Sequence, residues 1–139
     1  MGLDEAVSAS PPLVAGIGFR RGTASAEIVA LVRRALAETG LAESRLRALA
    51  TAEDRAAEPA LRAAAEVFAL APTPVSPREL AAAGARVLTR SARIEALRGV
   101  GSLAEAAALA AAGPGARLVL PRIASAGATC ALAAPPDSP

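Results

Sequence analysis

Leu13 to Phe19 is a short apolar run rich in β-forming residues, and from Ser25 apolar residues instead recur every three or four positions. That change of period, from strand to helix within about a dozen residues, recurs along the chain and demands a layered strand-and-helix fold. The first run ends in glycines and has no polar alternation, so it reads as a strand buried on both faces. Ile28, Leu31, Val32, Ala35 and Leu36 then line one side of a helix, Arg33, Arg34 and Glu38 occupy the other, and Gly40 supplies its stop.

Leu46 to Thr51 reads as a second strand, and Leu61, Ala64, Ala65 and Phe68 mark a second helix with Pro59 in its first turn. Thr73-Pro74-Val75 makes a short strand, after which Ser76-Pro77-Arg78-Glu79 combines an N-cap, a first-turn proline and a capping-box glutamate. Residues 84–98 declare no element, although Arg86 to Thr89 suit extension and Ile94 to Leu97 suit a helix. Gly99-Val100-Gly101-Ser102 leads into another helix, with Ser102 and Glu105 as a capping pair and Gly113-Pro114-Gly115 as its end. That helix is apolar nearly all round, which implies burial against the sheet and suits contact with a second copy of the chain. Arg117 to Pro121 and Ala128 to Leu132 read as closing strands around a glycine-containing turn. The expectation is a single-domain, three-layer α/β/α fold with a mixed, mainly parallel sheet of about five strands. It spans residues 13–134, between flexible segments at 1–12 and 135–139.

Composition narrows the functions open to such a fold. Of the 139 residues 40 are Ala and only Phe19 and Phe68 are aromatic, so base-stacking platforms are nearly absent and nucleic acid is disfavoured. All 15 basic residues are Arg, and against 13 acidic residues they leave a net charge of +2. Arg presents a planar set of donors suited to carboxylates and phosphates, so its position beside glycine loops and helix starts carries information. There is no His, and Cys130 is the lone cysteine, which removes the usual zinc ligands, an internal disulfide and the common general base. The acidic start Met1-Gly2-Leu3-Asp4-Glu5 does not suit a signal peptide, and no uncharged run reaches the roughly 18 residues of a membrane span. A cytoplasmic protein with no membrane segment is expected.

In an open α/β sheet ligands gather beyond the carboxyl ends of the strands. The first strand delivers Gly16, Gly18, Arg20, Arg21, Gly22 and Thr23 to the start of a helix, where free amides favour an anion. This spacing departs from the dinucleotide fingerprint and no strand after the helix is read as ending in the acidic residue that would hold a ribose, so a nucleotide module rests on the glycines alone. The second strand delivers Thr51 and, a few residues on, Arg55. The remaining candidates are Gly101, Ser102 and Glu105 at the later helix entrance, and Arg122 just past Pro121. A hydrolase would have to activate water with Glu53, Asp54, Glu58 or Glu105 and stabilise an oxyanion with Arg20, Arg21 or Arg55.

Four blocks in register resemble the CobE / CbiG C-terminal family of cobalamin biosynthesis. They are Gly16 to Thr23 with Ala50-Thr51, Glu58-Pro59-Ala60-Leu61, Gly99 to Ala108, and Ala128-Thr129-Cys130-Ala131. Arg55 and Arg122 stand where the family tends to have Lys, which keeps the charge and loses lysine-specific chemistry. The resemblance implies a corrin intermediate, of the precorrin or hydrogenobyrinic acid type, as ligand, with no cofactor of its own. Full-length CbiG proteins resemble a cobalt-precorrin-5A hydrolase, which opens a ring lactone and releases acetaldehyde, and they carry further N-terminal domains. This chain looks like the stand-alone CobE form, for which binding or hand-over is the expectation and hydrolysis the alternative. Pathway methyltransferases are the partners that the resemblance suggests.

Overall fold

The computed structural model describes residues 12–87 and 102–136. Five strands form one sheet in the order β3-β2-β1-β5-β4. In chain order the elements are β1 (Leu13–Phe19), α1 (Ser25–Thr39), β2 (Leu46–Ala52), α2 (Pro59–Val67), β3 (Pro72–Val75), α3 (Pro77–Ala83), α4 (Leu103–Ala112), β4 (Arg117–Ala124) and β5 (Ala128–Ala134). β1 pairs in parallel with β2, and β2 with β3, while β5 runs antiparallel to both β1 and β4. The carboxyl ends of β1, β2, β3 and β4 therefore share one edge of the sheet.

Alternation along β1 builds both layers. Leu13, Ala15 and Ile17 enter the core beneath α1 and α2, with Ile28, Leu31, Val32, Leu61 and Leu132. Val14 enters the opposite core beneath α3 and α4, with Leu80, Leu103 and Leu109. The expected three-layer, mainly parallel fold is what forms.

The helix boundaries follow their sequence signals. Gly40 closes α1 in the left-handed conformation at φ 71°. Ser76 Oγ accepts from the Glu79 amide at 3.1 Å while Glu79 Oε1 accepts from the Ser76 amide at 3.0 Å, completing the capping box. Ser102 likewise accepts from the Glu105 amide at 3.3 Å. The helix apolar all round is deeply enclosed: every residue from Leu103 to Leu109 is buried, Glu105 included.

Three expectations change. Gly16 and Gly18, expected at the start of a helix as ligand candidates, lie inside the Leu13–Phe19 strand and not in the loop that leads into α1. β4 runs through Pro121 to Ala124, so Arg122 is a strand residue and does not lie beyond the strand. Proline is tolerated there because β4 is an edge strand whose register shifts between Leu120 and Ile123. Gly84–Arg86 forms a short 3-10 turn. The readings at Leu88-Thr89, Ile94 to Leu97 and Gly99 to Gly101, together with residues 1–11 and 137–139, lie outside the described residues.

Gly16 sets the distance between sheet and helix. A Cβ there would sit 1.9 Å from the Ala104 carbonyl oxygen and 2.6 Å from the Ala108 nitrogen, both backbone atoms of α4. A methyl can be admitted only by lifting the helix off the sheet. Gly16→Ala is expected to cost about 1–3 kcal/mol in urea unfolding, as overpacking does elsewhere. Gly22→Ala, in open space at φ 86°, should cost about 1 kcal/mol through backbone strain alone.

Candidate functional site at the carboxyl edge of the sheet

Three successive carbonyls at the end of β1 each receive a side-chain donor. Thr51 Oγ1 donates to the Ile17 oxygen at 2.7 Å, Thr129 Oγ1 to the Gly18 oxygen at 3.4 Å and Arg55 Nη2 to the Phe19 oxygen at 2.9 Å. The donors come from β2, β5 and the turn after β2. Acceptor groups that would repel an anion at this edge are thus already engaged, and the next residues, Arg20 and Arg21, are exposed cations.

The loop from Arg20 to Ala24 is tied to the β4–β5 turn. The Arg20 amide donates to the Gly127 oxygen at 2.9 Å, and Thr23 Oγ1 donates to the same oxygen at 3.0 Å. Glu27, in the first turn of α1, completes the latch: its Oε2 accepts from Ser125 Oγ at 2.5 Å and from the Gly127 amide at 2.6 Å. These bonds, the Ser125 hydroxyl first and the Gly127 amide second, hold the Glu27 carboxyl below its ordinary value of 4.5. Position 127 also requires glycine, since a Cβ would lie 2.6 Å from Thr23 Oγ1.

Arg55 Cζ lies over the Phe19 ring, 4.4 Å from its centroid, with Nε 3.7 Å from Glu58 Oε2. On the other face of β1, Leu103 at the start of α4 lies 3.7 Å from where a Gly18 Cβ would be, so this helix entrance adjoins the same edge. Glu105 is fully buried and its Oε2 accepts from the Arg122 amide at 2.9 Å, stitching α4 to β4. Cys130 is buried in β5, and burial pushes its thiol up to about 12, opposed by Arg34; it is no nucleophile at neutral pH.

The family model described as Cobalamin synthesis G C-terminus matches residues 13–133. The chain belongs to that CobE / CbiG C-terminal family. A Sinorhizobium relative called Protein CobE is 40% identical over 131 residues, covering 94% of this chain and 85% of the relative. The solved structure of CobE, described as a protein from the cobalamin (vitamin B12) biosynthetic pathway, matches with a TM-score of 0.86 and 35% identity over 93% of this chain and 94% of that one. The cobalamin biosynthesis protein chiG of Agrobacterium tumefaciens matches with a TM-score of 0.72 and 40% identity, over 90% of this chain and 99% of that one.

On the CobE / CbiG C-terminal fold the residues singled out from sequence fall into two groups. Arg20, Arg21, Gly22, Thr23, Thr51 and Arg55 converge around the end of β1. Ser102, Glu105 and Arg122 gather on the α4 side, and Gly101 lies outside the described residues. Gly16 is accounted for by its contact with α4, and Gly18 by its closeness to Thr129. Glu53 and Asp54 are exposed in the turn after β2. Sequence reasoning missed Glu27, Ser125 and Gly127, because a carboxylate on a helix face about 100 positions from its partners leaves no local signal.

The latch predicts an acid limb in stability. Since the Glu27 carboxyl titrates lower folded than unfolded, its contribution is complete above the ordinary carboxylate range and is lost as pH falls through the lowered value. Urea unfolding from pH 6 to pH 3 should show a shallower decline for Glu27→Gln than for the parent protein. At pH 6 the Gln variant should be the less stable.

Proposed function

We propose that this chain binds a corrin intermediate of the hydrogenobyrinic acid type through its acetate and propionate carboxylates, and holds it for hand-over within cobalamin biosynthesis. The observation that carries this reading is the carboxyl edge of β1, where the three terminal carbonyls are engaged and two exposed arginines follow. Such an edge offers cationic donors, and guanidinium pairs well with carboxylate. The guanidinium groups of Arg20 and Arg21 make no hydrogen bond or ion pair among the described residues, so both are available to a ligand. The names of the relatives supply the pathway.

Binding is favoured over lactone hydrolysis by the state of the carboxylates. Glu105 spends one oxygen on the Arg122 amide, Glu58 faces Arg55, and the Cys130 thiol is held protonated. None of these three is poised to activate water or attack a carbonyl, which leaves hydrolysis, among the sequence candidates, only Glu53 and Asp54, exposed in the turn after β2. Pathway methyltransferases are the natural recipients of a held intermediate.

Titration with hydrogenobyrinic acid, followed by visible absorbance and by mass spectrometry of the recovered ligand, tests the reading. Saturable binding with an unchanged ligand mass is expected, weakening as salt rises. Replacing Arg20 and Arg21 together by Ala should weaken it about tenfold or more, by loss of charged hydrogen bonds. A change in ligand mass would make the protein an enzyme instead.

A further inference from the structure

Arg55 is expected at the ligand from sequence, yet its guanidinium lies against the protein, with Nη2 hydrogen-bonded and Nε buried without a hydrogen-bond partner. Its side chain is only 17% exposed, lies against the Phe19 ring at 4.4 Å, donates to the Phe19 carbonyl at 2.9 Å and sits beside Glu58. That carbonyl belongs to the peptide unit whose amide is Arg20's, and this amide donates to Gly127 at 2.9 Å. One peptide plane is thus gripped at both ends, by a side chain from the β2 turn and by the backbone of the β4–β5 turn. The following turn closes on the same residue, since the Thr23 amide donates to the Arg20 oxygen at 3.1 Å.

We infer that Arg55 is a positioning residue: it fixes the peptide between Phe19 and Arg20, and so aims the exposed Arg20–Arg21 pair, without touching the ligand itself. This rests on the carboxylate-binding reading above. The physical case is geometric. A charged donor that stacks on Phe19 while bonding its carbonyl removes the freedom of the peptide that launches the loop, and order present before binding need not be supplied on binding. Glu58 sustains the arrangement, because a carboxylate beside Arg55 holds the guanidinium over the ring and would itself repel an anionic ligand placed there.

Amide hydrogen exchange of the ligand-free protein reads the clamp directly. In Arg55→Met, which keeps aliphatic cover over Phe19, the Arg20 and Thr23 amides should exchange about tenfold faster, while those of Leu31 and Val32 in α1 stay as in the parent. Affinity for hydrogenobyrinic acid should fall by a similar factor with an unchanged salt dependence. Arg55→Lys, which keeps the charge and one donor, should recover part of both effects, and it serves alone if the Met variant does not fold. Loop exchange equal to the parent's would overturn the inference, and so would faster exchange with affinity retained. A salt dependence reduced by one charge would make Arg55 a direct contact. Parent protein that ignores hydrogenobyrinic acid would overturn the binding reading and leave the exchange data to decide the clamp.

Discussion

The backbone of α4 rests directly on β1 at Gly16, and the rest of the molecule is arranged around that contact. Helices normally stand off a sheet by the length of their side chains, but here the Ala104 carbonyl occupies the space a single methyl would take. Close approach is open only to small residues on both sides, which Gly16, Ala104 and Ala108 provide. It sinks α4 so deeply that Leu103 to Leu109 are all buried, and it brings the start of that helix beside Gly18 at the carboxyl edge. The high alanine content of the chain thus has a structural expression: its second core is built from short side chains at short range.

Around that core the carboxyl edge is held by polar contacts between distant segments. Thr51, Arg55 and Thr129 secure the end of β1 from both neighbouring strands, and Glu27 with Gly127 secures the loop that follows. Most of these bonds join a side chain to the backbone, so each strengthens position without requiring a matched partner side chain. The effect is to spend the polar capacity of the edge internally while leaving Arg20 and Arg21 outward. The residues that hold the shape of this edge are largely enclosed by their partners, whereas Arg20 and Arg21 present charge outward.

Much of the architecture was legible because strand and helix periods leave repeated signals: α1 carries five apolar positions on one face, and Ser76 with Glu79 announces α3. What failed had physical causes. Pro121 ordinarily ends a strand, and only its place at the sheet edge lets β4 continue to Ala124. A glycine in sequence admits a ligand or a helix equally well, so Gly16 suited a binding loop until α4 was seen against it. Arg55 and Arg20 look alike as basic residues near a strand end, and only the structure distinguishes their surroundings, Arg55 against the Phe19 ring and carbonyl and Arg20 exposed. The Glu27 latch joins residues about 100 positions apart and has no period to detect.

Both outer strands of the sheet carry proline: Pro72 and Pro74 in β3, and Pro121 in β4. Each lacks the amide hydrogen that a neighbouring strand would need, and β4 adds shifts of register. Among the described residues the sheet ends at these two strands. A further chain that met either rim would find an interrupted ladder, so aggregation by edge-to-edge growth is discouraged even for a sequence this rich in small apolar residues. On the helical faces and the carboxyl edge, by contrast, recognition depends on which side chains are presented and not on generic backbone pairing.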